Sequence, residues 1–307
     1  RGDVMKNFIN FDDFDREIIE EAIKIGIKEK NRFYSEDFKI NFGKKFGILL
    51  FEKPSLRTKL SFAKALNLNG INHIYFSPDE VGLGKREKVS DVAKVISKMG
   101  EVAILRTYKH STIEEFSKYS TIPVINALSD SEHPCQALSD LLTITEKIGD
   151  NFKDINLTFV GDGNNVATSL AKGIVMMGGT FIHSCPKGYE IPQTNLNEIM
   201  NISKKHNGKF IIENDINISI SNSDFIYTDV WASMGQESQQ DQRIIDFKNY
   251  QVKSTHVEKN NAFFMHDLPA HHGEEISEGL VDHKNSIVFE QSENRIWGQL
   301  GIIKKIV

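Results

Sequence analysis

Cysteine is scarce in this chain: Cys135 and Cys185 are the only two among 307 residues. Two thiols cannot build a disulfide framework, and they fit a reducing, cytoplasmic compartment. Basic excess is also missing. Lys and Arg number 37 against 42 Asp and Glu, a net charge of −5, which argues against a general nucleic-acid binder and leaves local clusters as the only informative positive charge. No apolar run approaches the roughly 20 residues that a membrane span needs, and no secretory pattern opens the chain. Internal repeats and low-complexity segments are absent too. A soluble protein without nucleic-acid or membrane partners is the expectation.

What is present is length, a core and a rhythm. The chain is long enough for two ordinary domains, and with 39% hydrophobic and 26% charged residues it can bury a core. Short apolar runs near 46–51, 72–76, 102–106, 122–126, 156–160, 180–184, 224–228 and 262–265 read as strands. Amphipathic stretches separate them, among them Val89 to Met99 and Ala137 to Ile144. This alternation predicts α/β architecture: two doubly wound parallel-sheet domains with helices on both faces and an interdomain active-site cleft. Gly149-Asp150-Asn151 marks the boundary, giving a first domain over 1–148 and a second over 149–291. Helical patterns near 12–29 and 292–307 lie outside the alternation, and the last helix is expected to return to the first domain.

Chemistry concentrates where strands end. Phe51 to Phe62 runs from a strand through Pro54 into a helix opening with Ser55, Leu56, Arg57 and Thr58. The first N–H groups of a helix lack internal partners and carry partial positive charge, and Arg57 adds a bidentate donor. Alone, this turn fits a capped helix and a phosphate cradle equally. Arg106 closes an apolar strand, and His133-Pro134-Cys135-Gln136 precedes a helix. Cys135 lacks a second feature that would make it a nucleophile and reads as packing. Gly161-Asp162-Gly163-Asn164-Asn165 invites a dinucleotide fold, but Val166 stands where its third glycine belongs and no acidic residue clearly ends the next strand. Both departures argue against a nicotinamide cofactor. Asp229 and His266-Asp267-Leu268-Pro269 each follow an apolar run, and aspartates at neighbouring strand ends suit amino groups. These residues read as a group transferase with phosphate chemistry in one half and an amino-acid-like partner in the other.

Six segments then carry a resemblance. Ser55-x-Arg57-Thr58, His133-Pro134-Cys135-Gln136, Gly161-Asp162-Gly163-Asn164-Asn165, Asp229-x-x-x-Ser233-Met234-Gly235, His266-x-Leu268-Pro269-Ala270 and Glu293-Asn294-Arg295 occur in order and at fitting distances. From residue 6 to the C-terminus the chain closely resembles the ornithine carbamoyltransferases of the aspartate/ornithine carbamoyltransferase family. The resemblance implies that Ser55, Leu56, Arg57, Thr58, Arg106, His133, Gln136 and Arg295 bind carbamoyl phosphate. It implies an L-ornithine site at Asn165, Asp229, Ser233, Met234, Asp267 and Leu268, with Arg57, Arg106, His133 and Asp267 at the chemistry. L-Citrulline and phosphate are the implied products, amino-acid metabolism such as arginine biosynthesis the setting, and a homotrimer with sites near subunit interfaces the assembly. No metal or organic cofactor is required.

The departures are specific. The family has H-C-L-P where this chain has Asp267, an acceptor in place of a weak thiol donor. Such a carboxylate holds an ammonium more tightly but raises the amine's pKa, or else accepts its proton as general base. A different diamino or amine acceptor therefore stays open, as does a non-catalytic homologue that only binds carbamoyl phosphate. Leu56 replaces a threonine, Gly82 a glutamine, Lys88 a serine and His272 an arginine. Lys85, Arg86 and Lys88 keep positive charge in a loop that the family extends to a neighbouring subunit.

Overall fold

A computed structural model describes residues 7–35, 39–232 and 239–307. The chain divides into two compact units, residues 1–147 with 293–307, and residues 148–292. Each is a parallel α/β sheet.

In the first unit, strands β1 (Phe46–Phe51), β2 (Asn72–Phe76), β3 (Val102–Arg106) and β4 (Val124–Leu128) lie in the order β2-β1-β3-β4. Every pairing is parallel, as expected for apolar strands separated by helices. Ile48, Leu50, Ala103, Leu105 and Val124 pack with Val92, Ala93, Ile113 and Phe116 from the helices Val89–Ile96 and His110–Tyr119. The chain leaves β1 for β2 on one side and returns to β3 on the other. The carboxyl ends of β1 and β3 therefore meet at the point where strand order reverses, which is where open α/β sheets place ligands. Phe51 and Arg106 are partners in that register.

The predicted return of the last helix is observed. Helix Val288–Ile306 contributes its residues from Glu293 onward to the first unit, against helix Arg16–Phe33. A Cβ on Gly301 would sit 2.1 Å from the Ala22 carbonyl oxygen, and one on Gly26 2.6 Å from that of Trp297. Only glycine admits this approach. Lys304 meets Glu29 at 2.6 Å, and Lys305 pairs with Glu21.

In the second unit, β5 (Asn156–Val160), β6 (Thr180–Ser184), β7 (Lys209–Ile212), β8 (Phe225–Thr228) and β9 (Phe263–His266) follow the order β7-β6-β5-β8-β9. All pairings are again parallel. Strand β7 was not expected. It is an edge strand whose Lys209, Ile211 and Ile212 are exposed, so it carries neither the continuous apolar run of a buried parallel strand nor a clean alternation. Val160, Ile226 and Phe264 anchor the core with Ile216, Ile220, Val257 and Leu280. Strand order reverses between β5 and β8, whose ends carry the glycine turn and Asp229. Thr228 pairs with His266, bringing the segment after β9 alongside.

Candidate functional site

In the first unit the turn after β1 puts Ser55 at the N-cap of helix Leu56–Leu68, where its hydroxyl accepts from the Thr58 N–H at 3.3 Å. Thr58 is fully buried, and its Oγ1 accepts from two guanidinium groups: Arg106 Nη1 at 3.3 Å and Arg295 Nη2 at 2.7 Å. Arg106 and Arg295 are 7% and 3% exposed. Two arginines, 189 residues apart in sequence, thus converge on one hydroxyl at a helix N-terminus. Arg57 is half-buried on the same turn. The Leu56 side chain is 69% exposed and turned away from this cluster's buried groups.

His133 is buried, and its pKa lies well below the ordinary value because burial, Arg295, Arg106 and Lys53 all disfavour a second proton. It is a neutral imidazole at pH 7, able to donate one hydrogen bond without adding charge. Gln136, 1% exposed, donates from Nε2 to Asp140 Oδ1 at 2.8 Å. Its Oε1 is buried and has no hydrogen-bond partner within the described residues, leaving an acceptor in use by no other group. Cys135 beside it is buried, its Sγ donates to the Asn126 carbonyl at 3.4 Å, and burial raises its thiol pKa. It is a poor nucleophile.

Lys53 joins this group, although sequence reasoning gave it no role. It is 6% exposed, and burial first, then Arg106, lowers its pKa, with Asp130 and Glu52 partly offsetting. Its Nζ lies 4.8 Å from the centre of the Tyr108 ring. The available signal was its position, two residues before Ser55 at the end of β1.

The second unit assembles amides and carboxylates. After β5, Gly163 packs so closely that a Cβ would lie 2.2 Å from the Ile191 nitrogen, which makes glycine obligatory in this turn. Asn164 then caps helix Asn165–Met176, its Oδ1 accepting from the Val166 and Ala167 N–H groups at 3.0 Å. Its Nδ2 donates to Asp229 Oδ2 at 2.7 Å, while Asp229 Oδ1 accepts from the Val230 N–H at 2.7 Å. Asn164 is therefore an orienting group for Asp229. Asn165 sits at the first helical position, its Oδ1 3.0 Å from the Val166 nitrogen.

Donor atoms of Asp229, His266 and Asp267 all lie within 4.8 Å of one another. Both nitrogens of His266 already face partners: Nδ1 accepts from the Leu268 N–H at 2.9 Å and Nε2 lies 3.2 Å from Glu275 Oε1. What remains is a pair of carboxylates, an arrangement suited to an ammonium group. Leu268 has φ of 61°, a left-handed backbone that costs a leucine on the order of 1–3 kcal/mol and is held by surrounding contacts. Ser233 and Met234 lie outside the described residues.

Arg243 is a further residue that sequence reasoning missed. From helix Gln240–Phe247 its Nη1 donates at 2.8 Å to both Asp162 Oδ2 and the Trp231 carbonyl, tying the glycine turn to the segment after Asp229. Burial raises the Asp162 pKa and Arg243 opposes that rise. Nothing in the local pattern of that amphipathic helix distinguishes Arg243 from a surface arginine.

Comparison with known proteins agrees with this layout. Residues 6–146 match the family model described as aspartate/ornithine carbamoyltransferase, carbamoyl-P binding domain. Residues 153–306 match the Asp/Orn binding domain model of the same family. An ornithine carbamoyltransferase of Archaeoglobus fulgidus is 39% identical over 305 residues, covering 99% of this chain and 98% of that protein. One of Thermoplasma acidophilum, named catabolic, is 38% identical over 293 residues, covering 95% and 94%. Among solved structures, the ornithine carbamoyltransferase of Pyrococcus furiosus is similar with a TM-score of 0.92 at 34% identity, covering 99% of this chain and 98% of that one. An anabolic ornithine carbamoyltransferase from Campylobacter jejuni also gives 0.92, at 30% identity, covering 98% and 99%.

Proposed function

The chain belongs to the aspartate/ornithine carbamoyltransferase family, and from that membership we propose that it transfers the carbamoyl group of carbamoyl phosphate to the side-chain amine of L-ornithine, yielding L-citrulline and phosphate. The observation that carries this reading is the convergence of Arg106 and Arg295 on Thr58 at a helix N-terminus, beside a neutral His133. That is a cradle for a dianionic phosphate with a neutral donor at its edge.

The proposed roles follow from these groups. Ser55, Leu56 and Arg57, with Thr58, Arg106 and Arg295, hold the phosphate, the first turn offering its backbone N–H groups. Neutralising the phosphate improves it as a leaving group. The Gln136 Oε1 acceptor suits the carbamoyl NH₂, while Thr58, Arg106 and His133 donate to the carbamoyl oxygen. The neutral amine of ornithine attacks the carbamoyl carbon, and charge builds on that oxygen where these donors stabilise it. The C–O bond to phosphate then breaks, phosphate leaves with the electron pair, and the amine nitrogen loses its proton. Asn165, Asp229, Ser233, Met234, Asp267 and Leu268 form the proposed amino-acid site. Thus the first unit is the proposed carbamoyl-phosphate domain and the second the ornithine domain.

The test is phosphate release from carbamoyl phosphate that requires ornithine and is matched by citrulline. Absence of ornithine-dependent release from pH 6 to 9 overturns the reading. A second acceptor class is favoured by one observation, the extra carboxylate of Asp267 close to Asp229. Other diamines and diamino acids, run in the same assay, decide between them by kcat/KM. Asp267 is also assigned a consequence: opposite charge raises the bound amine's pKa. Asp267→Cys is therefore expected to weaken ornithine binding about tenfold at pH 7 and to move the rising limb of kcat to lower pH. A uniform loss of kcat at every pH instead assigns Asp267 as general base. A cytoplasmic homotrimer is proposed on the family resemblance alone. A sedimentation mass of three chains supports it, and one or two chains overturns it.

A further inference from the structure

We propose that Glu275 is a positioning residue for the amino-acid site, acting through the tautomer of His266. This rests on the ornithine reading of the second unit. His266, at the end of β9, is 1% exposed and Glu275 is fully buried. His266 Nδ1 accepts the Leu268 N–H at 2.9 Å, so Nδ1 carries no proton. The ring proton therefore resides on Nε2, which faces Glu275 Oε1 at 3.2 Å. That oxygen also accepts the His271 N–H at 2.5 Å, so a single buried acceptor receives a side-chain and a backbone donor.

The consequence runs through the turn. A neutral imidazole has one donor and one acceptor nitrogen, and fixing one fixes the other. With Glu275 claiming the Nε2 proton, Nδ1 is left as the acceptor that pulls the Leu268 N–H inward. That bond holds Leu268 at φ 61°, and the residue between the bonded pair is Asp267. The carboxylate is thereby set within 4.8 Å of donor atoms on Asp229 and His266. The opposite tautomer would point a proton at the Leu268 N–H, and the turn would lose its tie. The His266 backbone N–H is separately anchored to Gln291 Oε1 at 2.9 Å, so the ring pivots on a fixed strand end.

The experiment compares Glu275→Gln, which keeps an acceptor oxygen, with Glu275→Leu, which removes it. Gln is expected to stay within about threefold of wild type in kcat. Leu is expected to lose at least tenfold in kcat with ornithine, with KM for carbamoyl phosphate unchanged because that ligand belongs to the first unit. Nitrogen-15 NMR of histidine-labelled protein reads the tautomer directly: Nε2–H in wild type and Gln, a mixture in Leu. His266→Asn offers Oδ1 in place of Nδ1 and bypasses Glu275, so adding Glu275→Leu to it is expected to cost no further activity. An Nδ1–H signal in wild type, a Gln variant as impaired as Leu, or a full additional loss in the double variant each overturns the proposal. The tautomer signal stands apart from turnover, so failure of the ornithine reading and failure of this one are distinguishable.

Discussion

The two units place their candidate sites by the same device and fill them with opposite chemistry. In each, a parallel sheet reverses strand order and two neighbouring carboxyl ends present the working residues, β1 and β3 in one, β5 and β8 in the other. The first unit crowds cations there. Arg106 lowers the pKa of Lys53, and both join Arg295 in lowering His133. The second unit gathers carboxylates, of which Asp229 is tied by two neutral donors, Asn164 and the Val230 N–H. The first site thus concentrates buried positive charge that the proposed anion would offset, whereas in the second each Asp229 oxygen already accepts from a neutral donor. Removing a charge is therefore expected to have opposite effects on the stability of the two units.

The largest effect tests this contrast directly. Arg106→Met removes a buried donor to the proposed phosphate and carbamoyl oxygen, and kcat/KM for carbamoyl phosphate is expected to fall about 10³-fold. The ligand-free protein is expected to melt no lower than wild type, since a buried like charge is relieved as an apolar chain fills its volume. Asp229→Asn is expected to destabilise the second unit by about 1 kcal/mol, because its charged acceptor serves two donors. Trp297 and Trp231 are both buried, one in each unit, so their fluorescence reports each separately. A ligand-free Arg106→Met protein clearly less stable than wild type refutes this expectation.

What could be read from the chain follows the same division between local and long-range order. Arg106 and Asp229 were legible because they close or directly follow an apolar strand, and Ser55 and Thr58 because they open the helix after one; such strand ends and helix starts are where parallel sheets work. Lys53, Arg243 and Glu275 were not. Each acts through a partner distant in sequence or buried by tertiary packing, and periodicity carries no record of that. Asn164 and Asn165 look alike in sequence, yet the helix start makes Asn164 a cap and a brace for Asp229. Strand β7 was missed for a related reason: an exposed edge needs no apolar run.

Acid separates the units next. In the second, His183 is fully buried with Nε2 3.0 Å from the Gly161 carbonyl, and burial pushes its pKa down to about 4. The unfolded imidazole takes up a proton below its ordinary 6.5, while the folded one stays neutral down to about 4. Its share of stability is therefore complete above pH 6.5 and lost as pH falls toward 4, a decline of about 3 kcal/mol. Denaturant titrations followed through Trp231 at pH 7 and pH 4 measure it, and His183→Asn is expected to flatten the dependence. In the first unit His133 has the same sign, but cations add to burial there. Inorganic phosphate is therefore expected to blunt the acid sensitivity seen through Trp297 and leave that seen through Trp231 unchanged. Equal protection of both signals removes the proposed contrast.

The smallest effect concerns the cradle itself. Leu56 replaces a family threonine at the first helical position, and the lost hydroxyl suggests a weakened phosphate site. The geometry argues otherwise. The Leu56 side chain is 69% exposed, whereas the hydroxyl that Arg106 and Arg295 share belongs to Thr58. At this position the backbone N–H is the group that a helix N-terminus offers an anion, and leucine retains it. Leu56→Thr is accordingly expected to change KM for carbamoyl phosphate less than threefold, while Thr58→Val, which removes the shared acceptor, changes it at least tenfold. Steady-state kinetics on the pair decides the matter: a larger response at residue 56 than at residue 58 places the phosphate on side-chain hydroxyls of the turn rather than on the arginine pair behind it.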